Sequence, residues 1–142
     1  MRFSVPFAAA MLAACSPAGE APQATATASI APGTHLGTGR DALCVAGDGG
    51  AMRGGFIAFG ADDSNCSASG RIEATGGALA LIPAGDTECR IPLKVEGGRI
   101  LLGPASASCA YYCGPGASFA GKTFEMVATP SAAVDLAGDP LC

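Results

Sequence analysis

Twice in succession this chain runs an alternating apolar pattern into a Gly-Gly pair and out again on the same face. In RIEATGGALALI, residues 71–82, Ile72 and Ala74 alternate with Arg71, Glu73 and Thr75 before Gly76-Gly77. Gly-Gly suits a two-residue hairpin, because both central residues of the favoured turn need positive φ. A turn there sets Ala74 opposite Leu79 and Ile72 opposite Leu81, so all four share one face. The construction then recurs. Ile91, Leu93 and Val95 alternate with Arg90, Pro92 and Lys94, and Gly97-Gly98 turns the chain. Val95 then opposes Ile100, and Leu93 opposes Leu102. Two hairpins in tandem make an antiparallel meander. Pro92 has no N–H to give to a ladder, which predicts an edge or irregular position.

Further strands are expected at Ala42–Ala46, Gly55–Phe59 and Thr123–Ala128, the last with Phe124 and Met126 facing the same way. No window offers an amphipathic helix of useful length. Six to eight short strands in roughly 100 residues imply an all-β domain, a small antiparallel barrel or sandwich. With few aromatics and no Trp, such a domain has modest apolar volume and needs some other staple.

The N-terminus has a different character. Arg2 precedes an apolar run from Phe3 that closes on Leu12-Ala13-Ala14-Cys15. The run is too short to span a bilayer and has the form of a secretory signal peptide. Small residues ending in cysteine resemble the lipobox of bacterial lipoproteins. The resemblance covers residues 1–15. It implies cleavage before Cys15, lipidation of Cys15 by acyl chains such as palmitate, and, with Ser16 rather than Asp next, an anchor on the periplasmic face of the outer membrane. Removal of residues 1–14 leaves 128 residues. Residues 15–39 are rich in Ala, Pro and Thr and cannot bury enough apolar area to order themselves. They are expected to be a flexible tether reaching roughly 25–30 Å. The β domain is expected over residues 40–142.

Six cysteines remain besides Cys15, an even number in an oxidising compartment, which predicts three disulfides. Cys66 has the parity of Ile72, and Cys89 that of Ile91, so both face the core. This favours a Cys66–Cys89 bridge. Cys109 and Cys113 would lie about 13 Å apart on an extended strand, so a Cys109–Cys113 bridge requires a turn between them. Cys44–Cys142 would then tie the ends of the domain. A zinc site is disfavoured, because no CxxC pair occurs and the sole histidine, His35, falls in the expected tether.

Residues Gly116–Thr123 match GxxxxGKT, the phosphate-cradling loop. That loop works between a strand and a helix N-terminus. Here Phe124-Glu125-Met126-Val127 alternates like a strand, so the run is read as a Gly-rich loop, no nucleotide is expected, and Lys122 is expected to be dispensable. Ser118 and Lys122 have SxxxK spacing, not the SxxK of a helical Ser–Lys nucleophile. Asp62-Asp63-Ser64-Asn65 lacks the spaced ligands of a calcium loop and reads as a solvated turn.

The chain has 8 basic and 12 acidic residues, with only two lysines, which disfavours nucleic acid as a partner. With the one histidine in the tether, Ser–His and Cys–His catalysis have no base. Tyr111-Tyr112, beside a cysteine and a Gly-Pro-Gly turn, is the candidate contact. Strand alternation would pack one ring on the core and expose the other as an anchor for a protein or glycan. The expectation is a non-catalytic envelope or binding module without cofactor. The alternatives are an inhibitor of a cationic hydrolase, given the net negative charge, and a small hydrolase using acidic residues. Size and cysteine usage are similar to those of small β-barrel lipoproteins that inhibit lysozyme, a likeness of architecture alone.

Overall fold

The computed structural model describes residues 28–128 and 132–142; the expected leader, Cys15 and most of the expected tether lie outside the described residues. Eight strands follow one another: β1 Gly33–Leu36, β2 Ala42–Ala46, β3 Arg53–Phe59, β4 Asn65–Thr75, β5 Ala78–Pro83, β6 Ile91–Glu96, β7 Arg99–Leu102 and β8 Thr123–Met126. Each pairs antiparallel with the next, and β8 returns to β1, so the sheet closes into a barrel. Closure removes both exposed sheet edges.

Both Gly-Gly hairpins have the register that alternation predicts. Ala74 pairs with Leu79 and Ile72 with Leu81, and then Val95 with Ile100 and Leu93 with Leu102. Gly76, Gly77, Gly97 and Gly98 all have φ between 56° and 83°, as the turn demands. Pro92 is not on an edge, since a closed barrel has none. It lies in β6 where β7 has just ended, and its carbonyl accepts from the N–H of Gly103 at 2.9 Å. Its missing N–H therefore falls beyond the last ladder pair.

Eight strands leave an interior about as wide as the side chains that fill it. Phe56, Leu81, Ile91, Ile100, Leu102 and Phe124 are fully buried there. A void of only about 10 Å³ remains beside Leu43, Leu81 and Leu93. Each such side chain contributes about 1.5–3 kcal/mol by leaving water.

One correction concerns where the domain begins. β1 lies wholly within the expected tether, and His35 is a barrel residue, buried at 2% exposure. Its Nε2 donates to the carbonyl of Ala31 at 3.1 Å, and Ile30 is buried against the core. Gly-Thr-His-Leu, four strand residues, is too short to show period 2, and only closure against β2 and β8 gives it partners. The chain enters at the end that carries both Gly-Gly turns. The opposite end, called the far end below, carries the connections Gly37–Asp41, Gly60–Ser64, Ala84–Arg90 and Gly103–Lys122.

The disulfides are Cys44–Cys142, Cys66–Cys113 and Cys89–Cys109. The first matches expectation. It straps the C-terminal segment over the outside of β2 and β3, where Ala133 and Leu141 pack on Ala42 and Ile57. The Cys66–Cys89 and Cys109–Cys113 pairings are overturned. Parity did identify the face, for Cys66 and Cys89 are both fully buried. Parity says nothing of distance around a barrel, and the long β7–β8 connection brings Cys113 to one and Cys109 to the other. Cys109 lies in a 3-10 helix, Ala107–Tyr112, that ends at Cys113. At about 2.0 Å rise and three residues per turn, two residues four apart are separated by some 8 Å and point in different directions. They therefore bond to different walls.

Candidate functional site

The 3-10 helix presents the two tyrosines at the far end. Cys109 and Cys113, bonded to Cys89 and Cys66, bracket them. Tyr111 is 89% exposed, while Tyr112 is half-buried against the core. The expected division of labour holds, but a helical turn produces it, not strand alternation. The two rings meet edge to face at 5.5 Å, so Tyr112 supports the exposed ring.

Tyr112 is itself fixed by Asp86. Its hydroxyl donates to Asp86 Oδ2 at 2.9 Å, while Asp86 Oδ1 accepts the N–H groups of Glu88 at 2.8 Å and Cys89 at 3.1 Å. The Cys89 N–H foremost, then the Tyr112 hydroxyl and the Glu88 N–H, hold the Asp86 carboxyl below its usual range. Burial first, then this bond to Asp86, pushes the Tyr112 hydroxyl above its usual value. The signs differ for the two groups. A carboxyl with a depressed native value contributes stability above its ordinary 3.8, which is lost as pH falls through the lower native value. A raised tyrosine contributes below its ordinary 10.0 and loses that contribution as pH rises through the native value. Thermal melts are therefore expected to fall off below about pH 4 less steeply in Asp86→Asn than in the native protein. Parallel acid limbs would assign the latch no part in stability.

The other sequence candidates separate. Gly116–Thr123 runs into β8 with no helix after it, and Gly121 turns at φ 81°. Lys122 does not point to an empty loop. Its Nζ donates to Asp41 Oδ2 at 2.8 Å and to the Phe59 carbonyl at 2.7 Å, while Asp41 Oδ1 accepts from Phe59 N–H at 2.7 Å. Asp41 is buried. The expectation that Lys122 is dispensable is thus corrected: it joins the β1–β2 connection, the end of β3 and the β7–β8 connection. Ser118 Oγ accepts from the N–H of Ala120, while the hydrogen bonds of Lys122 Nζ go to Asp41 and Phe59. Asp63 pairs with Arg40, whose guanidinium lies 3.9 Å from the centre of the Phe59 ring. Asp62 and Asp63 both have positive φ, and Ser64 Oγ donates to the Pro115 carbonyl at 2.7 Å, so this segment is a tied turn.

Sequence reasoning missed the Asp86–Tyr112 and Asp41–Lys122 bonds, which span 26 and 81 residues. One signal was present for the second: a lysine is rare in this chain, and an isolated one flanking a strand invites a partner. Beside Tyr111 an open groove of about 370 Å³ runs along Ala105, Ser106, Ala110, Gly114, Ser118 and Phe119. The site thus combines a rigid exposed aromatic, a shallow groove of small residues, and unpaired Asp62 and Glu88 in adjoining connections among the described residues. Such an arrangement can hold a partner by ring contact and charge. Comparison with protein-family models, curated proteins and solved structures finds no match to this chain.

Proposed function

We propose that this protein is a lipid-anchored, periplasm-facing bacterial lipoprotein that acts as a non-catalytic binding module through the Tyr111 end of its barrel. One observation carries the reading: an almost fully exposed tyrosine stands on a helical turn locked at both sides by disulfides. Tyrosine supplies large contact area with little rotamer entropy to lose, and a pre-fixed backbone lowers the remaining cost of binding. The chain enters the barrel at the opposite end, which suits a module that turns its Tyr111 end away from the bilayer. Lipidation at Cys15 belongs to this proposal and rests on the lipobox.

The acidic residues Asp62 and Glu88 at the same end favour a cationic partner, and an inhibitor of a cationic hydrolase is the second reading. Tyr111→Ala is expected to weaken retention of the envelope partner on immobilised protein about tenfold or more, the scale of an interfacial hot spot. Its melting temperature should stay within about 2 °C of the native value, because an exposed side chain is being removed. Equal retention by Tyr111→Ala and native protein would sink the proposal.

A further inference from the structure

The barrel wall carries a second feature, on the outer faces of β3 and β4. Register sets Arg53 on β3 directly opposite Arg71 on β4. Residues opposed in an antiparallel pair project from the same face, and like charges so placed are unfavourable. Arg71 Nε donates to Glu73 Oε1 at 2.6 Å, and Arg90 donates to Glu73 Oε2 at 2.8 Å. One carboxylate therefore serves two guanidiniums. Those two bonds hold the Glu73 carboxyl below its usual range, so it is already fully engaged. Among the described residues Arg53 has no carboxylate within ion-pair distance. Three guanidiniums against one side-chain carboxylate leave a basic patch on an acidic chain.

An open groove of about 450 Å³ is lined by Arg53, Arg71, Ser69 and Ala84, with Pro140, Leu141 and Cys142 of the C-terminal segment at its side. Ser69 adds an exposed hydroxyl beside the two arginines, while at Gly54 and Gly70 the place of a Cβ is already taken by Cys44, Ile72 and Ile82. Arginine's planar fork matches tetrahedral oxyanions by paired hydrogen bonds. We propose that this groove binds a phosphate group, held between Arg53 and Arg71. Its position bears on the source. Gly33, where β1 begins, aligns through Val45 with Gly54, and Arg53 lies one residue further toward the end where the chain enters. If the anchor reading above is right, the Arg53 side of the groove is the one turned toward the bilayer, and a phospholipid headgroup is the source. The alternative source is free phosphate.

The test uses the full chain carrying Cys15→Ser, so that acylation makes no contribution and the anchor reading is not itself at stake. The probes are inorganic phosphate, followed by amide resonances of Gly54, Ser69 and Gly70, and vesicles of phosphatidylcholine with or without phosphatidylglycerol. Phosphate is expected to shift those resonances, and phosphatidylglycerol to raise vesicle binding about tenfold, as charge-assisted contacts would. Both effects should vanish in Arg53→Gln/Arg71→Gln and in the milder Arg53→Gln alone be reduced. Arg99→Gln, which removes a paired arginine on another part of the wall, should change neither. Shifts with phosphate but no preference for phosphatidylglycerol would support the site with free phosphate as its source. If neither probe distinguishes the native chain from the double variant at matched melting temperature, the proposal is overturned.

Discussion

Lys122→Ala is expected to cost about 3–5 kcal/mol, the scale on which removing one partner strands a buried charge. Asp41 is 2% exposed and Lys122 only 28%, so water cannot easily take the lysine's place. The variant leaves Asp41 Oδ2 without a partner and the Phe59 carbonyl without its Nζ donor. At 4–8 °C per kcal/mol for a domain near this size, the melting temperature should fall by roughly 15 °C or more. Asp41→Asn/Lys122→Met should recover much of the loss, since the amide oxygen can still accept from Phe59 N–H and no charge is left buried. Thermal or urea unfolding measures both. A loss below about 1 kcal/mol would place this pair among ordinary screened surface pairs.

Gly70→Ala should be comparably severe for a different reason. A Cβ at Gly70 would lie 1.9 Å from the carbonyl oxygen of Ile82 and 2.8 Å from the Pro83 Cα. These are backbone atoms of β5 and cannot swing aside. Gly70 is where β4 passes from pairing with β3 to pairing with β5, since Gly70 and Arg71 pair with both. The cost expected is about 3 kcal/mol or more, beyond the usual range for overpacking, because the strands themselves must part. Gly50→Ala is the matched control. Nothing lies within 4 Å of its Cβ and its φ is not positive, so the change should stay within about 0.5 kcal/mol. Equal unfolding midpoints for the two variants would show that β4 and β5 can separate freely at this point.

What could be read from residues alone was local and periodic. The two Gly-Gly hairpins carry turn chemistry and register in the same dozen residues, so Ile72 with Leu81 and Leu93 with Leu102 followed directly. Ala42–Ala46 was legible to the residue. β1 was not, because Gly-Thr-His-Leu has no period of its own and acquires partners only through closure. The face of each cysteine was legible and its partner was not. A disulfide joins places that are near in space, and the β7–β8 connection that brings them together has no alternation to follow. Tyr111 was found for its chemistry, although the helical turn that exposes it went unseen. The Arg53–Arg71 pair needed the β3–β4 register, which no hairpin motif announces across the Gly60–Ser64 connection.

The Cys44–Cys142 bond also determines how the molecule carries force. It closes residues 44–142 into a covalent ring, with a separation of 98 residues. Tension applied from the N-terminal side, against a partner gripped elsewhere on the barrel, reaches that ring after Ala28–Cys44 has been drawn out. That stretch includes β1 and the first half of β2 and yields roughly 55–60 Å at about 3.5 Å per residue. Beyond it, Cys66–Cys113 and Cys89–Cys109 divide the ring into smaller loops, so the turn bearing Tyr111 is cross-linked to β4 and to the strand entrance of β6. A pull that peeled β1 from its neighbours would thus lengthen the N-terminal segment while the Tyr111 turn remained bonded to both walls.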